Sequence, residues 1–300
     1  MLAGVKTMDT ICVMMSTYNG EKYIREQIDS ILAQKDVELS LFIRDDGSTD
    51  STLEIIKEYM SRNDNISFYT GDNLGACKSF FDLMWNVDLK YDYYAFADQD
   101  DVWLKDKLIR GISHLETIDD DVKLYSSKVT VVDENLQPIY DVTGKLIEPS
   151  FGNALIENIV SGCTIVVNKG FIEKARHYKR PERQQMHDWW AYKFGCAYGS
   201  IIIDPESRIL YRQHMGNTVG LAKSYWQRAI NAYRNSSTMK NWILCQSEEF
   251  LMIYNDLDDD YSCLIKLIIA KHMQWKMIKE KRIKRRNRIE SIVYKIWLLL

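Results

Sequence analysis

Short apolar runs alternate with segments of helical periodicity over the first 97 residues, and this alternation constrains the fold more than any other feature of the chain. The apolar runs are residues 11–15, 38–43, 66–70 and 93–97. Between them, apolar residues recur at three-to-four spacing in residues 21–34, 53–59 and 77–87. Strand and helix repeats of this length predict a parallel sheet with right-handed crossovers and helices on its faces. We therefore expect an α/β protein.

The alternation loosens in the second half of the chain. Residues 122–132 have the pattern of one strand, residues 159–167 that of another, and residues 201–214 that of two strands joined by a turn at 204–207. From residue 224 the pattern is helical throughout. We therefore predict an α/β domain at residues 1–223 and a helical region at residues 224–300.

Composition narrows the class of protein. A chain of 300 residues with 46% apolar residues can bury a full core. The first ten residues resemble no secretion signal, and no run of eighteen apolar residues is present, so we expect a protein in the cytoplasm. Six cysteines without C-x-x-C spacing argue against a zinc knuckle and against a disulfide framework.

Polar loop residues follow each of the four predicted strands of the first half. These loops have the sequences STYNG, RDDGSTD, GDNLG and DQDD. Because the carboxyl ends of parallel strands lie along one edge of a sheet, we expect these loops to converge on a single crevice. A binding site is therefore predicted at that edge.

Three carboxylates end the fourth apolar run, at Asp98, Asp100 and Asp101. Clustered carboxylates are costly unless a cation or solvent compensates their charge, so the pattern predicts a metal site. A divalent ion held by Asp98 and Asp100 could bridge to a diphosphate. The alternative is an acidic turn in which Asp101 caps a helix that starts near Val102.

Two further loops carry candidates for nucleotide binding. Thr17 and Tyr18 could present a hydroxyl and a ring to a nucleobase and its ribose, and Asp46 could accept the N3–H of a uracil or thymine ring. Asp46 could equally be a turn or N-cap residue. Lys78 could approach a phosphate, although a lysine on the first turn of a helix is usually solvated. Neither a P-loop nor a dinucleotide fingerprint is present.

Two segments near residue 200 carry candidates for catalysis and metal binding. Asp188 is flanked by His187 and two tryptophans, an arrangement that favours desolvation, so it is our candidate general base. The alternative is that the tryptophans are core and Asp188 caps a helix. His214 follows a strand and is a candidate third metal ligand or diphosphate contact, and it could instead satisfy a local hydrogen bond.

The order of these motifs resembles that of the family 2 glycosyltransferases with the GT-A fold. The matching segments, across about residues 10–220, are STYNG, RDDGSTDST, DNLGACKSF, DQDDVW followed by KDKL, HDWW and YRQHMGN. The resemblance implies a Rossmann-like, mostly parallel central sheet flanked by helices, with a C-terminal helical extension. It also implies an inverting sugar transfer from a nucleotide-diphosphate sugar.

The resemblance assigns roles to the candidate residues. Asp46 would contact the base, and Asp188 would deprotonate the acceptor hydroxyl. Asp98 and Asp100 would serve a metal-bound diphosphate, with Mn²⁺ or Mg²⁺ neutralising charge on the leaving group. Because Gln99 separates the two acids, Asp98 would contact either the metal or the ribose. Asp98 and Gln99 are therefore both expected among the residues that contact the nucleotide-sugar.

The HDWW and RQH segments are most similar to bacterial rhamnosyltransferase-like members that build capsular or cell-wall polysaccharide. The resemblance therefore favours dTDP-L-rhamnose as donor and a glycan or lipid-linked saccharide as acceptor. A galactosyl-, glucosyl- or N-acetylhexosaminyltransferase that uses a UDP-sugar is the alternative. Outside the enzymes, a noncatalytic scaffold of polysaccharide assembly is the rival, although four candidate carboxylates argue against it.

Charge is segregated toward the C-terminus. Residues 264–300 carry eleven Lys or Arg against two Glu, about +9, which leaves about −12 on residues 1–263. Cations alternate there with apolar residues at helical spacing, which predicts peripheral binding to the anionic inner face of the plasma membrane. The apolar residues concerned are Leu267, Ile268, Trp275, Ile278, Ile283, Ile289, Ile292 and Trp297. Alternatively, these helices pack on the catalytic domain or on a second subunit of a homo-oligomer. Nucleic-acid binding is not expected, because the body is acidic.

Overall fold

A computed structural model describes residues 8–141, 147–214, 236–270, 274–287, 291, 292 and 295. The strands are β1 (Thr10–Thr17), β2 (Glu38–Asp45), β3 (Ile66–Thr70), β4 (Tyr93–Ala97), β5 (Val102–Trp103), β6 (Lys123–Ser127), β7 (Thr130–Val132), β8 (Pro138–Asp141), β9 (Val166–Asn168), β10 (Ser200–Asp204) and β11 (Ile209–Arg212). The helices are α1 (Ile24–Leu32), α2 (Thr52–Met60), α3 (Ala76–Asn86), α4 (Lys107–Glu116), α5 (Phe151–Ala154), α6 (Lys169–Arg176), α7 (His187–Tyr198), α8 (Ser236–Ile253), α9 (Asp259–Ile269) and α10 (Gln274–Lys279).

The central sheet has seven strands in the order β10-β6-β9-β4-β1-β2-β3. Strands β3, β2, β1 and β4 are mutually parallel, and β9 runs antiparallel to its neighbours β4 and β6. The α/β class and the four strands predicted in the first half are therefore confirmed. Because β1 to β4 are parallel, their carboxyl ends lie at one edge, and the polar loops that follow them share it.

A second sheet, in the order β5-β11-β7-β8, corrects several predictions. The strand predicted at 122–132 is two strands, β6 in the central sheet and β7 in the smaller one. Strands β10 and β11 likewise lie in different sheets and do not pair with each other. The strand predicted at 159–167 is a single turn of 3-10 helix at Gly162–Thr164 followed by the short β9.

Residues Val102–Trp103 form strand β5, which pairs antiparallel with β11, so no helix starts there. The next helix, α4, begins at Lys107. The alternative in which Asp101 caps a helix is therefore wrong. Trp103 is buried in the hydrophobic cluster that also contains Ile11 and Val13 of β1.

The core lies on both faces of the central sheet. Along β1, Ile11, Val13 and Met15 belong to one hydrophobic cluster, whereas Cys12 and Met14 belong to the other. This alternation follows from the period of two in a strand, which sends successive side chains to opposite faces. Because both faces are covered, the strand has the continuous apolar sequence typical of a buried parallel strand.

The C-terminal helices pack onto the rest of the protein. Ile265, Leu267 and Ile268 of α9 are buried in the same cluster as Trp190 of α7, and Ile283 joins them. The prediction that Leu267, Ile268 and Ile283 face a membrane is therefore wrong, because core packing covers these side chains. Packing on the α/β domain, the alternative interpretation, is what the structure shows for them.

The remaining apolar residues of the predicted membrane face divide into two groups. Ile292 is 58% exposed. The side chains of Trp275 and Ile278, together with Ile289 and Trp297, lie outside the described residues, as do residues 224–235. Within the part of the chain that the structure describes, no helix is both long enough and apolar enough to cross a bilayer.

Candidate active site

The loop after β1 is clamped to the loop after β4. The backbone N–H of Tyr18 donates to Gln99 Oε1 at 2.8 Å, and Gln99 Nε2 donates to the carbonyl of Tyr18 at 3.0 Å. Gly20 makes room for this clamp, since a Cβ there would lie 2.3 Å from Gln99 Oε1. The side chain of Gln99 therefore fixes the backbone of Tyr18, and Tyr18 itself remains 47% exposed at the edge of the sheet.

Thr17 lies in the same loop but is turned inward. It is buried, and its hydroxyl donates to Asp45 Oδ1 at 3.2 Å. Asp45 Oδ2 also accepts the backbone N–H groups of Gly47 and Ser48, at 3.1 and 2.9 Å. The predicted presentation of the Thr17 hydroxyl to a ribose is therefore not what the structure shows, because Asp45 engages it. Sequence reasoning missed Asp45 as the residue that shapes this turn.

Asp46 joins the loop after β2 to the start of α3. Its carboxylate accepts the N–H groups of Leu74 and Gly75, both at 2.8 Å, and pairs with Arg44. Asp46 is only 2% exposed, and Gly75 has a φ of +76°, which favours glycine. The structure therefore shows the turn-forming role of Asp46, one of the two alternatives that the sequence left open.

Lys78 is exposed on the first turn of α3. It stands on the helix whose N-cap, Gly75, donates its backbone N–H to the Asp46 carboxylate. An exposed ammonium at this edge is accessible to an anionic ligand, as the sequence predicted, and it is equally accessible to water.

Asp98 and Asp100 stand where β4 ends. His214 Nε2 lies 2.8 Å from Asp100 Oδ2, so two of the three predicted metal ligands are brought together from distant parts of the chain. Burial raises the pKa of Asp98, and the charges of Asp100 and Asp188 raise it further. Burial also raises the pKa of Asp100, against the opposing effect of His214. Two partly desolvated carboxylates that destabilise each other's charge form a favourable place for a cation.

Asp101 extends the acidic cluster inward. It is fully buried, its Oδ1 accepts the backbone N–H of Arg212 at 3.1 Å, and burial raises its pKa well above the usual range. Donor atoms of Asp98, Asp101 and Cys163 all lie within 4.8 Å of one another. Sequence reasoning missed Cys163, because no local pattern links it to the DQDD segment. Its position comes from the 3-10 turn that precedes β9.

The donor set fits a hard divalent cation. Carboxylate oxygens from Asp98 and Asp100 suit Mn²⁺ or Mg²⁺, and the imidazole nitrogen of His214, a ligand typical of transition metals, favours Mn²⁺. The thiol of Cys163 is buried behind this set, and burial together with Asp101 raises its pKa, which keeps it protonated. A thiol in that state is a poor ligand for any metal. The residues present therefore fit the ion that the sequence predicted.

Asp188 lies in the first turn of α7 and is buried. Its Oδ1 accepts the N–H of Trp189 at 2.7 Å, and its Oδ2 accepts the N–H of Gly162 at 3.2 Å. Burial nevertheless raises the pKa of Asp188 to about 6, against the opposing effect of these hydrogen bonds. The predicted desolvation of this carboxylate is therefore confirmed, and its surroundings make it a stronger base than an exposed aspartate.

His187 and the tryptophans hold the start of α7 in place. The His187 ring stacks on Phe80 with centroids 3.9 Å apart, and burial lowers its pKa to about 3, so it is neutral. Trp189 Nε1 donates to a buried backbone carbonyl at 2.7 Å, and Trp190 packs in the core. The core interpretation of the tryptophans is thus correct, and it coexists with a desolvated Asp188.

The candidate residues share one edge of the sheet. Burial raises the pKa of Asp98 and of Cys77, which lies in the first turn of α3, and the charge of Asp188 raises both further. That turn follows Gly75, whose N–H binds Asp46. His187, next to Asp188, stacks on Phe80 of α3, so α7 and α3 are in direct contact beside the acidic cluster.

Comparison with known proteins agrees with this arrangement. Residues 12–176 match the profile described as "Glycosyl transferase family 2". The dTDP-rhamnosyl transferase RfbG of Shigella flexneri is 35% identical over 82% of this chain and 85% of its own length. The putative teichuronic acid biosynthesis glycosyltransferase TuaG of Bacillus subtilis is 24% identical over 72% of this chain and 85% of its own.

Solved structures show the same fold. Residues 1–349 of Staphylococcus aureus TarS in complex with UDP superpose with a TM-score of 0.56 at 19% identity, over 91% of this chain and 73% of that one. The mannosyltransferase PcManGT of Pyrobaculum calidifontis, in complex with GDP-Man and Mn²⁺, gives a TM-score of 0.52 at 13% identity with the same coverage. The GT-A-like fold implied by the motifs is therefore confirmed. The chain is a glycosyltransferase and belongs to glycosyl transferase family 2.

Proposed function

We propose that this glycosyltransferase transfers L-rhamnose from dTDP-L-rhamnose, with inversion, to a glycan or lipid-linked saccharide in the synthesis of bacterial capsule or cell-wall polysaccharide. The observation that carries the choice of donor is the 35% identity to a dTDP-rhamnosyl transferase over 82% of the chain. The alternative is a UDP-sugar donor of the galactosyl, glucosyl or N-acetylhexosaminyl type. TarS, a structural neighbour at 17% identity solved with UDP-GlcNAc, is the reason to keep it.

In the proposed mechanism Asp188 is the general base. Its carboxylate takes the proton of the acceptor hydroxyl while the hydroxyl oxygen attacks the anomeric carbon of the donor. The bond from that carbon to the diphosphate oxygen breaks, and the nucleoside diphosphate leaves with the electron pair. A pKa of about 6 suits this role, since Asp188 is ionised at neutral pH yet more basic than an exposed aspartate. A single displacement of this kind inverts the anomeric centre.

Asp100 and His214 would hold the Mn²⁺ or Mg²⁺ ion. Asp98 would contact either that ion or the ribose of the donor. When bound there, the ion supplies positive charge that stabilises the diphosphate leaving group. The chain places Asp98 at the end of β4 and holds the Asp100 carboxylate against the imidazole of His214. The charge of Asp188 also raises the pKa of Asp98.

The nucleoside end of the donor would lie over the loops after β1 and β2. Tyr18 is exposed there on a backbone that Gln99 fixes, which supports a ring contact with the base. Asp46 already accepts three donors, so in this proposal it reads the base through a remaining lone pair of Oδ2. Lys78 supplies a cation for a phosphate at the start of α3.

The donor is tested by thermal stabilisation with dTDP, UDP and GDP, each with and without Mn²⁺. We expect dTDP with Mn²⁺ to raise the melting temperature most, because ligands stabilise a protein in proportion to their binding free energy. A larger shift with UDP would favour the alternative donor class. Transfer of labelled rhamnose from dTDP-L-rhamnose, with NMR assignment of the product anomer, then tests the inversion.

We also propose that the protein binds the anionic inner face of the plasma membrane through surface charge. Lys276, Lys279, Lys281, Lys284 and Arg286 are exposed, and each cation near such a surface contributes about 1 kcal/mol. Because α9 is part of the core, charge reversal is a better test than truncation. Lys276→Glu with Lys279→Glu and Lys281→Glu should abolish sedimentation with phosphatidylserine vesicles.

The matched control reverses three exposed lysines on the body of the protein, Lys35, Lys57 and Lys105. This triple variant carries the same change in net charge and should still sediment. Equal loss of binding in both triple variants would mean that net charge, and no particular surface, governs association. Undiminished binding of the C-terminal variant would refute the membrane proposal.

A further inference from the structure

Arg212, at the end of β11, has a guanidinium group that is buried inside the protein, with the residue only 1% exposed. Its Nε donates to the backbone carbonyl of Asp100 at 2.9 Å, Nη1 donates to the carbonyl of Glu134, and Nη2 pairs with Glu26 on α1. The guanidinium also lies over the ring of Tyr23, 4.5 Å from its centroid. One side chain thus ties together α1, the turn between β7 and β8, and the segment that carries the acidic cluster.

A buried guanidinium is costly unless its donors find acceptors, so this arrangement needs an explanation beyond packing. The acceptors do more than compensate the positive charge, because the same hydrogen bonds fix the positions of the groups that accept them. Two of the three are backbone carbonyls, and a hydrogen bond from the rigid guanidinium to the carbonyl of Asp100 restricts the orientation of that residue. The backbone N–H of Arg212 binds Asp101 Oδ1 at the same time, at 3.1 Å.

The segment that contains Arg212 also determines the position of the His214 side chain. Two residues beyond Arg212, its ring lies 4.9 Å from that of Tyr23 and its Nε2 is 2.8 Å from Asp100 Oδ2. Tyr23 therefore contacts both Arg212 and His214. The backbone of Asp100, the side chain of Asp100 and the imidazole are all fixed relative to one buried group.

We propose that Arg212 is a positioning residue for sugar transfer, which sets the Asp100 carboxylate and the His214 imidazole at the spacing needed to bind a divalent cation. This inference rests on the proposed metal site. Arg212 does not itself touch the substrate in this account. It acts through the backbone of Asp100, as groups behind a metal ligand commonly do, and changes to such groups typically weaken metal affinity about 10- to 100-fold.

The test uses Arg212→Lys, which keeps the positive charge but loses the planar fork that reaches three acceptors. Arg208→Lys is the matched control, since Arg208 pairs with Asp106 and Glu206 just before the same strand. Mn²⁺ affinity is measured by electron paramagnetic resonance, without donor. Hydrogen exchange of residues 98–104 is measured without metal, so that the order of the segment is read independently of the ion.

We expect R212K to lower Mn²⁺ affinity about tenfold or more and to speed hydrogen exchange in residues 98–104. R208K should change neither quantity. Folded R212K with wild-type exchange in this segment overturns the positioning role, and so does wild-type Mn²⁺ affinity in that variant. If the wild-type protein itself binds no Mn²⁺, the proposed metal site fails, and hydrogen exchange still decides whether Arg212 orders the segment.

A second variant covers the case in which R212K does not fold. Glu26→Ala removes one acceptor of the guanidinium from a side chain that is 54% exposed, so it leaves the core intact. We expect faster exchange in residues 98–104 and weaker Mn²⁺ binding, both smaller than in R212K. Unchanged exchange together with unchanged Mn²⁺ binding in E26A would contradict the proposal, because loosening the guanidinium would then have no effect on the Asp100 segment.

Discussion

Asp188→Asn tests two properties of Asp188 separately: the stability that is lost when its buried carboxyl ionises, and its role as the base in transfer. Burial raises the pKa of Asp188 from 3.8 to about 6, which corresponds to about 3 kcal/mol. Because the folded chain then binds the proton more tightly than the unfolded chain, the stability from this group is fully present below about pH 3.8. It is lost as the pH rises through about 6. Asparagine carries no charge and so avoids this loss.

The assay is chemical denaturation of the wild-type protein and of D188N at pH 4 and at pH 7.5, without metal. Asparagine loses one carboxylate acceptor, which costs about 1–3 kcal/mol at both pH values, so the useful quantity is the change between them. We expect the stability of D188N relative to wild type to increase by about 2 kcal/mol from pH 4 to pH 7.5, less than the full value of about 3 kcal/mol because Asp188 is already partly ionised in the unfolded chain at pH 4.

The matched control is Asp119→Asn, which makes the same substitution at a carboxylate that is exposed rather than buried. D188N should also lose transfer activity while it still binds the donor nucleotide. A pH-independent stability difference between D188N and wild type would refute the argument that Asp188 is desolvated. Undiminished transfer by D188N would remove it from the mechanism.

Three further predictions follow from single contacts. The rate of transfer should fall about tenfold per pH unit below about pH 6, as Asp188 is protonated; a rate unchanged down to pH 5 would exclude it as the base. Gly20→Ala places a Cβ 2.3 Å from Gln99 Oε1, so the donor KM should rise about tenfold or more with little change in melting temperature; an unchanged KM would show that the clamp does not position the donor. Ile265→Ala should lower the free energy of unfolding by about 2–5 kcal/mol, whereas the exposed Ile292→Ala should change it by less than about 0.5 kcal/mol; equal effects would contradict the packing of α9 in the core.

The fold of the first half was predictable because its local signals agree with its tertiary structure. Each buried parallel strand is a short apolar run that ends in polar residues, and each intervening helix has one apolar face. The second half was less predictable because pairing there is set by distant segments. Residues 122–132 have one continuous pattern, yet β6 pairs with β9 and β10 while β7 pairs with β8 and β11. Periodicity contains no information about such partners.

The candidate site shows the same division. The sequence indicated Asp98, Asp100 and Asp188 because carboxylates at strand ends or beside tryptophans are unusual, and the structure brings them to one edge of the sheet. It did not indicate Asp45 or Cys163, whose proximity to the site depends on how loops close. It also assigned Thr17 a ligand contact, although a short polar side chain is easily engaged by a neighbouring turn, here that of Asp45.

The apolar residues near the C-terminus show why an amphipathic pattern is ambiguous. Leu267 and Ile268 recur at helical spacing beside lysines, which is typical both of a helix on a membrane and of a helix on a protein core. Only the tertiary structure distinguishes the two, and it buries both side chains in the same cluster as Trp190.

A crystal structure of the protein with dTDP and Mn²⁺ would show whether the loops after β1, β2 and β4 form the donor site. We expect Asp100 and His214 to hold the ion, with the diphosphate bound to it. The thymine should lie against Tyr18, and the Asp188 carboxylate should face the position that the sugar would occupy. A nucleotide bound away from the edge formed by the loops after β1, β2 and β4, or a metal ion that contacts neither Asp98 nor Asp100, would contradict the account.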